Sequence, residues 1–296
     1  MSQQTMKTAL ERYKSELEDH FSFSLREEGI PSGLAEAMRY SLMAGGKRIR
    51  PVLCLVWHEL LGGSRGDIMD FAAALEMIHT YSLVHDDLPA MDNDDMRRGQ
   101  PSNHARFGEA LAILAGDGLL TEAMHLMLTP ELPPLRVVRA AREVTLAAGP
   151  RGMVGGQVLD MSLSGETSRD LDQLQAMHGM KTGAMLRSAC VSGAVLAGAS
   201  STELQSAERY GGSLGLAFQV ADDILDIEGD QDIMGKPVGS DERMQKSTYP
   251  GLLGLEQSRR KGEELVERAV EAILPYEGDQ ADFLVDLARY VMQRTK

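Results

Sequence analysis

The chain has 296 residues and a formal net charge of −14 at pH 7. This charge argues against a nucleic-acid backbone or an anionic lipid surface as a partner, because both would repel the protein. Its two cysteines are too few for a disulfide framework and lack zinc-ligand spacing, which favours a reducing compartment. The N-terminus is charged and no apolar run is long enough to span a bilayer, so we expect a cytoplasmic protein without membrane insertion.

Apolar residues recur at spacings of three and four along most of the chain, whereas alternating runs are scarce, so the sequence predicts an all-α protein. Prolines and glycines divide this pattern into segments without a long flexible linker. The predicted helices cover residues 4–24, 32–44, 48–61, 66–88, 106–128, 134–148, 152–163, 168–199, 202–228, 251–274 and 278–294. We therefore expect a single domain, residues 1–296, built from ten or more helices.

The first motif is GGKRIRP, which spans residues 45–51 and puts Lys47, Arg48 and Arg50 where a helix is predicted to begin. Cations are unfavourable there because the N-terminal end of a helix dipole is positive. A bound anion would reverse this penalty and accept the free backbone N–H groups. Lys47 and Arg50 are three residues apart and are placed to hold one anion together. A solvated basic turn is the alternative interpretation.

The strongest signal is a crowded acidic cluster that two arginines follow. Its carboxylates fall within ten residues: Asp86, Asp87, Asp92, Asp94 and Asp95. Carboxylates this close disfavour one another's ionisation, and a hard cation such as Mg²⁺ or Ca²⁺ relieves the repulsion. Arg97 and Arg98 then offer donors suited to phosphate. The pattern predicts a metal–phosphate site beside an apolar run, and a solvated acidic loop is the alternative.

The spacing around this cluster predicts its local geometry. His79 and Asp86 are seven residues apart, about two helical turns, so they face the same way. Pro89 interrupts the helix after Asp87, so Asp92 must come from a loop that folds back. His79 is then a candidate substrate contact, with an ordinary core histidine as the alternative.

A second acidic cluster lies in FQVADDILD, residues 218–226. Asp222 and Asp226 are four residues apart and share one helix face, with Gln219 three residues before Asp222. Asp223 lies between them. Because both clusters end apolar helical segments, they fit one metal site approached from two sides.

Two polar motifs lie between the clusters. GGQVLDM places Gln157 and Asp160 three residues apart within an apolar helix, either as site residues or as structural hydrogen-bond partners. GMKTGAML puts Lys181 and Thr182 between glycines in mid-helix, which usually marks a kink or a functional backbone carbonyl.

These motifs, in this order, resemble those of the trans-isoprenyl diphosphate synthases. The spacing of Asp86-Asp87 and Asp92 is similar to the bacterial form found in farnesyl and some geranylgeranyl diphosphate synthases. The resemblance implies a helical bundle around a deep central cavity, usually in a homodimer. It also implies three Mg²⁺ ions, with Mn²⁺ as a substitute, that bridge an allylic diphosphate to both clusters. The implied metal ligands are Asp86, Asp87, Asp92, Asp222, Asp223 and Asp226.

The same resemblance implies the remaining roles. Isopentenyl diphosphate would be bound by Lys47, Arg50, His79 and Arg98. The allylic diphosphate would be bound by Arg97, Lys181, Thr182, Gln219, Lys236 and Lys246. The catalytic set would comprise Lys181, Thr182, Gln219 and Lys236. The loop 229–249 would close over the site, and Arg48 receives no role.

Tyr81, five residues before Asp86, resembles the bulky cavity floor of farnesyl-making members, and Ser82 follows it. The expected activity is therefore a Mg²⁺-dependent farnesyl diphosphate synthase, and a geranylgeranyl diphosphate synthase is the alternative. A terpene cyclase would not need the basic residues Lys47, Arg50 and Arg98. A non-catalytic partner subunit typically loses one aspartate motif, and a simple ion-binding module would leave the basic motifs unexplained.

Overall fold

The computed structural model describes residues 3–25, 29–163, 170–228 and 247–293. Its helices are α1 (Gln3–Ser24), α2 (Ser32–Leu42), α3 (Ile49–Leu60), α4 (Met69–Asp86), α5 (Asn103–Phe107), α6 (Glu109–Leu126), α7 (Pro134–Ala148), α8 (Met153–Leu163), α9 (Leu171–His178), α10 (Ala184–Ala197), α11 (Ser201–Glu228), α12 (Tyr249–Leu253), α13 (Leu255–Ile273) and α14 (Asp279–Gln293). A 3₁₀ turn, Arg65–Ile68, precedes α4, and a π turn, Gly179–Gly183, joins α9 to α10. Two short strands, β1 (Met96–Arg97) and β2 (Gln100–Pro101), form an antiparallel hairpin.

The all-α prediction is confirmed, and most predicted helices lie where the periodicity puts them. Two predicted helices are each divided in the structure. The segment 106–128 breaks at Gly108 (φ 87°) and the segment 251–274 breaks at Gly254 (φ 78°). A left-handed or extended residue with positive φ interrupts the helical hydrogen bonds, and glycine adopts it without steric cost. The hairpin was not predicted, and the single-domain boundary stays a prediction.

The core is organised around α3 and α10, whose residues are buried on nearly every side. Nine of the ten residues of α3 from Ile49 to His58 are buried, all except Arg50, and α10 is buried from Ser188 to Leu196. Such helices carry almost continuous apolar sequence because they have no solvated face. Helix α10 packs against α3, α7 and α11, while α4 packs against α3 and α6. The helices that carry the two acidic clusters, α4 and α11, are thus both anchored to this central pair.

Arg48, the arginine without an assigned role, is a buried structural residue. It adopts a left-handed conformation (φ 51°) immediately before α3 and is 1% exposed. Its Nη1 donates to Glu76 Oε1 of α4 at 2.9 Å, and its Nη2 donates to the carbonyl of Leu42 at 2.6 Å. Its guanidinium also lies over the ring of Phe21, 5.1 Å from the centroid. Arg48 therefore joins α1, α2 and α4 at the point where α3 begins.

Both cysteines are free thiols in the core, as the sequence predicts. The Sγ of Cys54 lies 3.7 Å from Ser192 Oγ, and burial raises the pKa of this thiol to about 12. Burial also raises the pKa of Cys190 well above its ordinary value. Within the described part of the chain, no helix combines the length and the apolar character needed to cross a membrane.

Replacing Arg48→Ala is expected to lower the free energy of unfolding by about 3–5 kcal/mol, because Glu76 would stay buried without its cation. Denaturation at pH 7.5 and fixed protein concentration measures the loss. Arg260→Ala is the matched control, since its exposed partner Glu256 is one helical turn away and such pairs contribute about 0.3–0.5 kcal/mol. A loss for Arg48→Ala as small as that of the control would contradict the anchoring role.

Candidate active site

The loop after α4 folds back on the helix end, as Pro89 predicts. Helix α4 ends at Asp86, and the backbone N–H of Asp92 donates to the carbonyl of Asp86 at 2.8 Å. The N–H of Asp94 donates to the carbonyl of Asp87 at 3.2 Å. These bonds place the later carboxylates of the cluster beside the first two.

The hairpin then separates the two arginines. Its turn residues, Arg98 (φ 54°) and Gly99 (φ 79°), are both left-handed, which is the geometry of a tight two-residue hairpin turn. Arg97 returns to α4, where its Nε donates to Asp87 Oδ1 at 2.9 Å and its Nη2 also contacts that carboxylate. Burial lowers the pKa of Arg97, but hydrogen bonding to Asp87 and the negative charges of Asp87, Asp94 and Asp86 together raise it overall. The predicted metal ligand Asp87, only 2% exposed, thus holds an arginine in this structure.

The carboxyl group of Asp86 has a clearly raised pKa. Burial raises its pKa to about 6, although Lys181 opposes the shift, and the neighbouring Asp92 adds to it. In the described ranges, no three His, Cys, Asp or Glu side chains are grouped closely enough to hold a metal ion on their own. Mg²⁺ commonly binds one or two carboxylates together with substrate phosphates. The donor set therefore fits a metal that binds with a phosphorylated ligand.

A cavity of about 630 Å³ lies beside Asp86, and we call it the larger cavity. Much of its wall is apolar and comes from the α4 loop, α6 and α8, including Leu88, Met91, Ile113, Met153, Val158 and Met161. The contribution of α8 to the cavity wall was not predicted from the sequence. The apolar residues of VGGQVLDM, residues 154–161, could have indicated it. The predicted floor residue Tyr81 lines this cavity and is 8% exposed. Ser82 lines it too, and its Oγ donates to the carbonyl of His79 at 2.9 Å.

A second cavity of about 470 Å³, here called the basic pocket, lies between the start of α3, α4 and α11. All four residues predicted to bind one diphosphate line it: Lys47, Arg50, His79 and Arg98. Gln219 and Asp222 of α11 line it as well. The structure therefore brings the basic motif, the hairpin arginine and the second acidic cluster together.

The basic pocket is electrostatically unfavourable for a further cation. Burial holds the pKa of His79 well below its ordinary value, and Arg50 and Arg98 lower it further, so His79 is neutral at pH 7. Burial also lowers the pKa of Arg50 and of Arg98, while the carboxylate of Glu76 opposes both shifts. Guanidinium groups this close to one another favour an anionic ligand between them.

The larger cavity and the basic pocket share a wall. Arg50, His79 and Thr182 line both of them. Asp86 faces one cavity and Asp222 faces the other, so the two acidic clusters approach adjoining spaces. The arrangement can place an apolar chain on one side of the wall and an anion on the other.

The predicted mid-helix break at Lys181 and Thr182 is the π turn. Two other helices approach its backbone closely. A Cβ on Gly156 of α8 would lie 2.3 Å from the backbone nitrogen of Lys181. A Cβ on Gly215 of α11 would lie 2.7 Å from the Cα of Gly183. Only glycine fits at such distances, so these residues fix the π turn between α8 and α11.

Lys181 and Asp160 form an ion pair of 2.8 Å, which connects the π turn to α8. A smaller cavity of about 110 Å³ lies here, lined by Asp160, Lys181, Gln219 and Asp223 among others. The structure thus pairs Asp160 with Lys181, whereas Gln157 lines the larger cavity.

The remaining predicted site residues differ in what the structure records. Asp223 is 5% exposed, and its Oδ2 accepts the backbone N–H of Tyr249 at 2.8 Å, where α12 begins. Asp226 is 8% exposed. The predicted lid residues Lys236 and Lys246 lie outside the described residues.

Asp86→Asn is expected to stabilise the protein at pH 7.5 without divalent ions, by on the order of 1–2 kcal/mol. The folded pKa of about 6 lies above the ordinary 3.8, so the stability linked to this proton is full at acidic pH and is lost as pH rises through 6. Thermal denaturation at pH 4.5 and 7.5 measures the effect, which should be clearly smaller at the lower pH, where the folded carboxyl is protonated and only the unfolded one is ionised.

Glu264→Gln serves as the control for Asp86→Asn, because it removes an exposed carboxylate of α13. It should change stability little at either pH. Equal stability of Asp86→Asn and the wild-type chain at pH 7.5 would contradict the raised pKa.

Comparison with known proteins shows the family to which this chain belongs. A family model described as polyprenyl synthetase matches residues 31–279. The chain is 47% identical to a dimethylallyltranstransferase of Fischerella ambigua, over 90% of this chain and 78% of that protein. It is 45% identical to a geranylgeranyl diphosphate synthase of Cyanophora paradoxa, over 97% and 96% of the two chains. The crystal structure of an FPP/GFPP synthase from Zymomonas mobilis superimposes with a TM-score of 0.87 at 33% identity, covering 98% of this chain and 100% of that one. The chain therefore belongs to the polyprenyl synthetase family of trans-isoprenyl diphosphate synthases and has their all-α fold.

Proposed function

We propose that this protein joins allylic diphosphates, first dimethylallyl and then geranyl, head-to-tail to isopentenyl diphosphate, and that its end product is (2E,6E)-farnesyl diphosphate. The observation that carries the proposal is the wall of Arg50, His79 and Thr182 shared by the larger cavity and the basic pocket. An apolar space on one side suits a prenyl chain. A cluster of buried cations on the other side suits a second diphosphate.

Isopentenyl diphosphate is assigned to the basic pocket. Lys47 and Arg50 lie at the start of α3, and Arg98 reaches the same space from the hairpin turn. His79, held neutral by burial and by its cationic neighbours, donates or accepts a hydrogen bond without adding a further charge. The pocket therefore favours a diphosphate and also directs the attached alkene toward the shared wall.

The allylic diphosphate is assigned to the acidic side, with Mg²⁺ as the proposed cofactor. Asp86, Asp92, Asp222 and Asp226 would hold the metal, whereas Asp87 and Asp223 hold Arg97 and the start of α12 in the described structure. Bound metal would supply positive charge that stabilises the departing diphosphate. The raised pKa of Asp86 supports this assignment, since a cation favours the ionised carboxylate.

The chemistry begins with heterolysis of the allylic C–O bond, whose electron pair leaves with the diphosphate. Lys181, oriented by Asp160, and Arg97, oriented by Asp87, offset the developing negative charge. The π electrons of isopentenyl diphosphate then form the new C–C bond with the allylic carbon. A proton is lost to the released pyrophosphate, and this restores a double bond.

The developing carbocation needs polarisable oxygens nearby and no reactive water. Thr182 lies in the shared wall, and Gln219 lines the basic pocket, so both are proposed to line the cationic centre. The apolar residues of the larger cavity exclude water from the prenyl chain. The proposed closure of the loop 229–249 involves Lys236 and Lys246, which lie outside the described residues, as does most of that loop. The homodimer and the cytoplasmic location remain predictions from the resemblance.

An assay with isopentenyl and dimethylallyl diphosphates tests the proposal. Pyrophosphate release is expected to require both substrates and Mg²⁺, and prenyl alcohols obtained after phosphatase treatment identify the chain length. Release with dimethylallyl diphosphate alone would indicate a cyclase or a hydrolase and would contradict the condensation.

A C20 product is the second candidate, because the Cyanophora relative is named a geranylgeranyl diphosphate synthase. We favour the C15 product because Tyr81 places a phenol ring in the wall of the larger cavity, one helical turn before Asp86. Product analysis of the wild-type chain separates the two.

Tyr81→Ala is expected to lengthen the end product by at least one C5 unit, because it removes the ring that limits the cavity. Chromatography of the dephosphorylated products at matched substrate turnover measures the change. Tyr40→Ala is the control, since this tyrosine lies near the hairpin, where its hydroxyl donates to the carbonyl of Pro101 at 2.7 Å, and not in the larger cavity. An unchanged product from Tyr81→Ala would remove Tyr81 from the role of floor.

A further inference from the structure

His85 supports the ring of Tyr81 inside the larger cavity. It follows Tyr81 by four residues on α4, and both side chains line the cavity. Their ring centroids are 5.8 Å apart and the ring planes meet at 81°, an edge-to-face contact. This arrangement is the favoured one for two aromatic rings, so the imidazole restricts the positions that the phenol can adopt.

The imidazole is itself tethered to α6. Its Nε2 lies 3.1 Å from the carbonyl oxygen of Ile113. A carbonyl only accepts hydrogen bonds, so Nε2 carries the hydrogen and donates. The carboxylate of Asp117, one turn further along α6, lies 4.0 Å from the same nitrogen. His85 therefore connects α4, which carries the floor residue, to the neighbouring helix α6, which also lines the cavity.

Helix α6 has a glycine where the imidazole approaches it. A Cβ on Gly116 would stand 2.1 Å from Nε2 of His85, so any larger residue would displace the ring. Glycine in the middle of a helix is unfavourable relative to alanine, so a packing reason is expected for it. The contact with His85 provides that reason.

We propose that His85 is a positioning residue that holds Tyr81 in place and thereby limits the length of the prenyl product, an inference that rests on the proposed function. Tyr81 is 8% exposed, but its ring borders the larger cavity, where open space lies beside it. The hydrogen bond from His85 to Ile113 and the space at Gly116 hold the imidazole of His85 in place. Its edge-to-face contact then holds the phenol ring of Tyr81. Loosening any of them lets the chain grow past the floor.

Two substitutions on different helices test this inference. His85→Ala removes the support, and Gly116→Ala displaces the imidazole from the α6 side without altering α4. Each is expected to raise the ratio of the product one C5 unit longer to the normal end product by about tenfold. In the double variant Gly116→Ala should add nothing, because the imidazole that it displaces is absent. His85→Gln keeps a side-chain N–H donor for Ile113 and should give a ratio between those of the wild type and His85→Ala.

The measurement is the product distribution at matched turnover, with thermal denaturation of every variant. His125→Ala, an exposed histidine on the same α6, is the control and should leave the ratio unchanged. Unchanged ratios in folded His85→Ala and Gly116→Ala, or an equal effect of Gly116→Ala with and without His85, would overturn the inference alone. A wild-type chain that forms no prenyl product would overturn the proposed function and this inference with it.

Discussion

Repulsion between like charges, held on both sides of one shared wall, is the constraint on which this site depends. On one side burial raises the pKa of Asp86 to about 6, with Asp92 beside it. On the other side burial lowers the pKa of His79, and the charges of Arg50 and Arg98 lower it further. The carboxylates on one side and the guanidinium groups on the other each form a set of like charges, and a ligand of opposite charge lowers the repulsion within each set. Under the proposed function, a diphosphate with a divalent cation would be complementary to both sets.

The scaffold holds these charges in place by close helix packing. The buried pair of Arg48 with Glu76 fixes the start of α3, and the glycines at 156 and 215 admit the π turn between α8 and α11. The hairpin turn sends one arginine to Asp87 and the next to the basic pocket. Each of these features determines where a charged group lies, so the stability of the fold and the layout of the site are linked.

The larger cavity adds a second requirement, because a prenyl chain needs apolar room of limited depth. Its wall comes from α4, α6 and α8, and the acidic cluster follows directly after the cavity residues of α4. The same helix therefore positions a carboxylate and the aromatic rings that line the cavity. Under the proposed function, this arrangement would couple the place where the diphosphate leaves to the length of the hydrocarbon beyond it.

The sequence alone determined the features that depend on near neighbours in the chain. Helical periodicity predicted most helices, Pro89 predicted the end of α4, and the glycines around Lys181 predicted the break that is the π turn. For these features the signal is a residue type at a short, fixed spacing. The resemblance to a known family, and not the spacing, implied that Lys47, Arg50, His79 and Arg98 belong together, and they line one pocket.

Only the tertiary structure decided the partners of the charged groups. Arg48 and Arg50 are two residues apart in one motif, yet the first is buried against Glu76 and the second lines the pocket. Asp160 pairs with Lys181, and Asp87 pairs with Arg97 across a hairpin that the periodicity did not predict. Partner choice depends on which helices pack together and how closely their backbones approach, and residues distant in sequence set those distances.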